Sequence, residues 1–148
     1  MLLTGTFERA IDEKQRIAIP KRLREAFGKS NERGLFVAPG MDGSLFLYAE
    51  SAFLKIAERL ASASPTQKDV RAFNRLFYAQ AERVELDGQG RVRIPPRLAQ
   101  LARLDKEAVL IGVQDHLELW DRSRWQSYLA EKTAQYDTIA EAAFEKES

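Results

Sequence analysis

The chain has no cysteine, which excludes disulfides, thiolate metal sites and cysteine nucleophiles together. Histidine is nearly as scarce: His116 stands alone. No Ser-His-Asp set can be assembled around it, and no His/carboxylate spacing resembles a zinc site. Gly88-x-Gly90 lacks the third glycine of a dinucleotide fingerprint. The longest apolar run, Ala108 to Val113, is far too short to span a bilayer. The start, Met1-Leu2-Leu3-Thr4-Gly5, has neither the basic flank nor the apolar stretch of a secretory signal. The expectation is a soluble cytoplasmic protein, not an enzyme, with no cofactor and no metal.

What remains is an ordinary globular composition, 45% hydrophobic over 148 residues, enough for one domain or two small fused ones. Net charge is +1, so charge alone does not call for a polyanion. Its distribution is uneven. Arg9, Lys14, Arg16, Lys21, Arg22, Arg24, Lys29 and Arg33 crowd the first 33 residues, whereas the tail from Glu131 is acidic. Such a split allows a local positive face on a nearly neutral molecule.

The strongest signal is internal repetition. Residues Ile11 to Leu23 align without gaps on Leu86 to Leu98, with six of thirteen pairs identical: Asp12/Asp87, Arg16/Arg91, Ile19/Ile94, Pro20/Pro95, Arg22/Arg97 and Leu23/Leu98. With three residues fewer in the second copy, Leu45-Phe46-Leu47-Tyr48 then falls on Leu117-Glu118-Leu119-Trp120. Ser51 and Phe53 meet Ser123 and Trp125. The organisation expected is a first module at 5–52, a helical connector at 53–80, a second module at 81–124 and a C-terminal helix at 125–148.

Each copy reads as strand, tight turn, strand, short helix, strand, turn, strand, longer helix. Asp12 to Gln15 and Asp87 to Gly90 form the first turns, Pro20 and Pro95 stop strand pairing, and Pro95 or Pro96 suits the start of a short helix. In the connector, Ser64-Pro65-Thr66-Gln67 predicts a helix N-terminus capped by Ser64. Val70, Phe73, Leu76 and Phe77 then predict a helix buried between the modules. A final helix from Ser123 carries Trp125, Tyr128, Leu129, Tyr136, Ile139 and Ala140, with fraying expected at Glu145-Lys146-Glu147-Ser148. A half-module of four strands buries too little to stand alone. The fold class expected is therefore α+β with a β-barrel core, built by two half-modules as a pseudo-symmetric pair.

The repeated Asp-x-x-x-Arg spacing admits two readings. An aspartate opening a turn bonds its own backbone, and the arginine closes the turn as an ion pair. Alternatively the guanidinium groups of Arg16 and Arg91, near Lys14, Lys21, Arg22 and Arg24, contact phosphates or guanine edges. His116, in a hairpin turn, is expected to be a plain surface residue.

The block Asp12-x-Lys14-x-Arg16-Ile17-x-Ile19-Pro20 with Arg24, and the block Met41-Asp42-Gly43-x-Leu45-x-Leu47-Tyr48, resemble the MraZ transcriptional regulators. So do Asp87-x-x-Gly90-Arg91-x-x-Ile94-Pro95-Pro96, Ile111-Gly112 and Leu119-Trp120. The resemblance runs from Gly5 to about Leu129. It implies tandem AbrB-like swapped-hairpin modules, ring-shaped homo-oligomers and residence on the nucleoid. It further implies binding to repeats in double-stranded promoter DNA, repressing the division and cell-wall gene cluster and the protein's own gene. Carried over by position, Lys14, Arg16 and Arg91 face DNA, and Lys21, Arg22 and Arg24 extend the basic set. The chain departs from the family at Gln15, where glycine is usual, as Gly90 precedes Arg91. A Cβ there costs about 1 kcal/mol if the turn needs positive φ. The rival reading is an antitoxin-type protein-interaction module whose C-terminal helix wraps a partner.

Overall fold

The computed structural model describes residues 2–27 and 34–145. Lys29 and Arg33 of the basic front, and the terminal Lys146-Glu147-Ser148, lie outside the described residues. The first copy runs β1 (Thr6–Ala10), β2 (Arg16–Ala18), α1 (Lys21–Phe27), β3 (Gly34–Pro39), β4 (Leu45–Ala49) and α2 (Glu50–Ala61). After the connecting helix α3 (Lys68–Gln80) the order repeats: β5 (Glu82–Glu85), β6 (Arg91–Arg93), α4 (Pro96–Leu101), β7 (Glu107–Val113), β8 (His116–Asp121) and α5 (Arg122–Thr133). Helix α6 (Tyr136–Glu145) ends the described chain.

The copies exchange their opening strands. One antiparallel sheet has the order β1-β7-β8-β4-β3-β5, so β1 of the first copy pairs with β7 of the second, and β5 pairs with β3. Pairing ends at β1 and β5, leaving the six-stranded ladder open, and β2 with β6 forms a separate two-stranded ribbon. Register shows the symmetry directly. Leu45 faces Leu119, Phe46 faces Glu118 and Leu47 faces Leu117. Because Leu45 and Leu117, and Leu47 and Leu119, are repeat counterparts, a pseudo-twofold axis passes between Phe46 and Glu118. In the ribbon the same axis passes between Ile17 and Val92, with Arg16 opposite Arg93 and Ala18 opposite Arg91.

Alternation of side chains along the strands puts one face of each into a shared core. Leu35, Val37, Leu45 and Leu47 meet Ala108, Leu110, Leu117 and Leu119, and the ribbon adds Ile17, Ile19, Val92 and Ile94. Leu23 of α1 and Leu98 of α4 join them. At roughly 1.5–3 kcal/mol for each fully buried large aliphatic side chain, this core is the main stabilising element, and neither copy contains it alone. On the outer face of β3–β4, α2 and α3 stack Phe53 on Phe36 and Phe77 on Phe53. On the outer face of β7–β8, α5 lays Trp125 and Tyr128 against Trp120.

Three expectations need correction. Helix α3 starts at Lys68 with Gln67 as its N-cap; the Ser64 hydroxyl instead accepts from the Thr66 N–H within a preceding turn. Local hydrogen bonding by Ser64 and Thr66 holds that segment as a turn. Only Phe77 of α3 is buried, while Phe73 and Leu76 are exposed, since a single sheet face receives this helix. The C-terminal segment is two helices, separated at Ala134–Gln135, and Tyr136, Ile139 and Phe144 of α6 are exposed.

Candidate nucleic-acid interface

Each first turn is built by its aspartate. The Asp12 carboxylate accepts from the backbone N–H groups of Lys14 (2.9 Å) and Arg16 (2.8 Å), and from Arg16 Nε at 2.7 Å. Asp87 repeats this with the N–H groups of Gln89 and Arg91, both at 2.9 Å, and Arg91 Nε at 2.9 Å. The backbone N–H of Arg16, with the other donors, holds the Asp12 carboxyl below its ordinary range, and that of Arg91 does the same for Asp87. The turn-closing ion pair is thus present in both copies. It fastens each guanidinium by Nε, leaving the terminal amino groups uncommitted among the described residues, apart from a 3.9 Å approach of Arg91 Nη1 to Asp12.

The turns join the ribbon symmetrically. The Ile19 N–H donates to the Gly90 carbonyl at 3.0 Å, and its counterpart, the Ile94 N–H, donates to the Gln15 carbonyl at 2.8 Å. Both turns therefore sit beside the start of the opposite copy's short helix. Gly90 has φ +76° and Gln15 has φ +62°, so the turn does require the left-handed region, and Gln15 adopts it despite its side chain.

Ile17 and Val92 point into the core, so Arg16, Ala18, Arg91 and Arg93 share the other face of the ribbon. Arg16 and Arg91 are half-buried and Arg93 is exposed. Lys14 is exposed at the tip of its turn. Arg9 reaches the ribbon edge, donating from Nε to the Ala18 carbonyl at 3.2 Å. Sequence reasoning missed Arg93 as a site residue; the signal was its place two residues after Arg91 in a strand. The α1 residues divide. Lys21 and Arg22 are exposed, and Arg22 also donates to the Thr4 carbonyl at 3.1 Å and lies over the Phe7 ring. Arg24 does not project: it is half-buried against Gly90.

His116 is not a plain surface residue. Its side chain is 12% exposed, stacked on Tyr48 and edge-on to Phe46, with Nδ1 2.8 Å from Asp115 and Nε2 3.5 Å from Glu118. Burial opposes its protonation, but the carboxylates of Glu118 and Asp115 outweigh that and raise its pKa. Burial also pushes the Tyr48 hydroxyl up to about 12. No group of three or more carboxylate or imidazole side chains able to hold a metal occurs among the described residues, and none of their helices is long and apolar enough to cross a membrane.

Comparison with known proteins gives one consistent result. The family described as "MraZ protein, putative antitoxin-like" matches the chain twice, at residues 2–76 and 77–147. A Moorella thermoacetica protein named transcriptional regulator MraZ is 39% identical over 140 residues, covering 95% of both chains. Its namesake from Lactiplantibacillus plantarum is 42% identical over 137 residues, covering 93% of this chain and 94% of the relative. That from Acetivibrio thermocellus is 38% identical over 137 residues, covering 93% of each.

Proposed function

From the premise that the chain belongs to the MraZ family, we propose that it is a transcriptional regulator, not an enzyme, and that it reads double-stranded DNA with the solvent face of its two-stranded ribbon. The observation that carries this is the set of three arginines, Arg16, Arg91 and Arg93, on one face of a ribbon whose other face is buried. The major groove, roughly 12 Å wide, admits a two-stranded ribbon. Arg16 and Arg91, held by Asp12 and Asp87, present planar donors at reduced entropic cost, suited to a phosphate or a guanine edge. Lys14 extends this at the first turn tip, with Lys21 and Arg22 as flanking phosphate contacts. Arg24, assigned to the same set from sequence, serves the interface by supporting the second turn.

The targets of this reading are repeats in the promoter of the division and cell-wall gene cluster, with repression of that cluster and of the protein's own gene. The setting is the bacterial cytoplasm and its nucleoid. One ribbon offers few phosphate contacts, and affinity and salt slope scale with their number, near −0.9 per phosphate. Ring-shaped self-association raises that number by presenting several ribbons to repeated sites at high effective concentration. The exposed Tyr136, Ile139 and Phe144 of α6, and Leu76 of α3, supply apolar surface for it. The modular division keeps 5–52 and 81–124 as the repeats, joined by 53–80 and followed by 125–148.

The test is fluorescence-anisotropy binding to the DNA upstream of the protein's own gene, with a scrambled duplex as control, for wild type and an Arg16→Ala/Arg91→Ala variant across a salt series. Preferential, salt-sensitive binding that collapses in the folded variant supports the reading. Equal, weak binding to both duplexes, unchanged in the variant, replaces it with the protein-interaction module, whose partner a pull-down through the C-terminal helix would seek.

A further inference from the structure

The two repeats are shaped to fit each other and not themselves. A Cβ built at Gly90 would lie 2.2 Å from Arg24 Nη1 and 2.5 Å from Arg24 Cζ, so this guanidinium fills the space a side chain would take. The repeat counterpart of Arg24 is Ala99, and that of Gly90 is Gln15. Across the pseudo-twofold axis the large residue is therefore on the turn and the small one on the helix.

Charge follows the same rule. At the start of α5, Arg122 pairs with Glu107 of β7 at 2.6 Å and with Glu8 of β1 at 3.5 Å. In the quasi-equivalent place Arg83 of β5 bonds Glu50, at the start of α2, and also Glu85 at 2.9 Å. Glu8 is the counterpart of Arg83, and Arg122 that of Glu50. Polarity is reversed between the two halves.

Two first repeats packed on each other would set Glu8 against Glu50 and drive Arg24 into Gln15. Two second repeats would set Arg83 against Arg122 and leave Ala99 facing the bare Gly90. We infer that these positions form a pairing code, so that the exchanged-hairpin interface accepts only the unlike repeat and rejects the like repeat of another chain. Exposed ion pairs are weak singly, but discrimination depends on the difference between right and wrong partners, where size and charge act in the same direction. The code is independent of the DNA-binding reading, and its test uses no DNA.

The code can be inverted within the full chain. Exchanging the helix residues between repeats (Arg24→Ala, Ala99→Arg, Glu50→Arg, Arg122→Glu) makes unlike pairing mismatched and like pairing matched. Exchanging the strand and turn residues as well (Glu8→Arg, Arg83→Glu, Gln15→Gly, Gly90→Gln) restores the match across the interface with roles swapped. Glu85→Gln and Glu107→Gln, carried in every background, keep the within-repeat neighbours of Arg83 and Arg122 neutral. Since the chain has no cysteine, Glu118→Cys reports on pairing in every background. Glu118 lies on the axis opposite Phe46, so like pairing brings the introduced thiols of two chains face to face, within disulfide reach. After refolding and mild oxidation, a disulfide-linked dimer on non-reducing gels is expected in the four-substitution background alone. It should be lost in the eight-substitution background, with wild-type circular dichroism regained. No cross-link in the four-substitution background, or equal cross-linking in all three, overturns the proposal.

Discussion

Arg93 stands directly across the ribbon from Arg16, on the same solvent face and with no acidic residue of its own among the described contacts. Like charges directly opposed on a sheet are destabilising, so nothing in the fold rewards this pair. A polyanion laid along the ribbon would. Arg93→Ala is accordingly expected to leave unfolding free energy unchanged or slightly higher. It should weaken binding to upstream DNA and reduce the salt slope by about 1, the value for one phosphate contact. Chemical denaturation and anisotropy titrations on the same preparation measure both. A variant that loses stability but keeps its salt slope would make Arg93 structural.

The second turn depends on Gly90 twice over. Its φ of +76° is costly for any residue with a Cβ, by about 1–2 kcal/mol, and Arg24 occupies the space a Cβ needs. Gly90→Ala is expected to lose more than that backbone cost. Adding Arg24→Ala should relieve the steric part and leave the backbone part, about 1–2 kcal/mol. Urea unfolding of the two single variants and the double variant gives the coupling; strictly additive losses would show that Arg24 yields freely.

Both aspartates that fasten the turns have lowered pKa values, chiefly from the N–H groups of Arg16 and Arg91. A lowered folded-state pKa means their contribution is present above the unfolded value, 3.8, and is lost as pH falls through the folded value. Wild type should therefore be more stable than Asp12→Asn/Asp87→Asn at pH 6, with the gap closing steadily below pH 4 as the carboxylates protonate. A gap that stays constant down to pH 2 would assign the aspartates no ionic role.

The repeat was legible in the sequence because identical residues recur at a fixed offset, and the short strands and helices followed from alternation and proline. Gly90 at the matching position raised the question of positive φ at residue 15, but only the φ of +62° at Gln15 answers it. What stayed hidden depends on which strand lies beside which. Arg93 gains its meaning only when β2 and β6 pair antiparallel and set it opposite Arg16. Arg24, read as one more cation in a basic run, belongs instead to the far turn because the hairpins are exchanged. His116 looked like a loop residue, since a local pattern cannot show that Tyr48 and Phe46 from the other copy close over it. Phe73 and Leu76 had helical apolar spacing, but periodicity does not say how much surface is available to cover them.

His116 makes the opposite prediction about pH from the aspartates. Its imidazole lies between Asp115 and Glu118 and stacks on Tyr48, an arrangement that favours the protonated ring despite burial. With the folded pKa raised above 6.5, its contribution is complete below that value and is lost as pH rises through the folded pKa. Tyr48, held at about 12, stays neutral across this window and does not confuse the reading. Stability of wild type relative to His116→Gln should therefore be greatest near pH 5.5 and decline as pH rises above 6.5 and through the raised folded-state pKa. The same titration followed by the imidazole proton resonances places the midpoint independently. If the two proteins keep a constant difference from pH 5.5 to pH 9, His116 holds the β4–β8 junction by stacking alone, and the flanking carboxylates contribute no charge stabilisation.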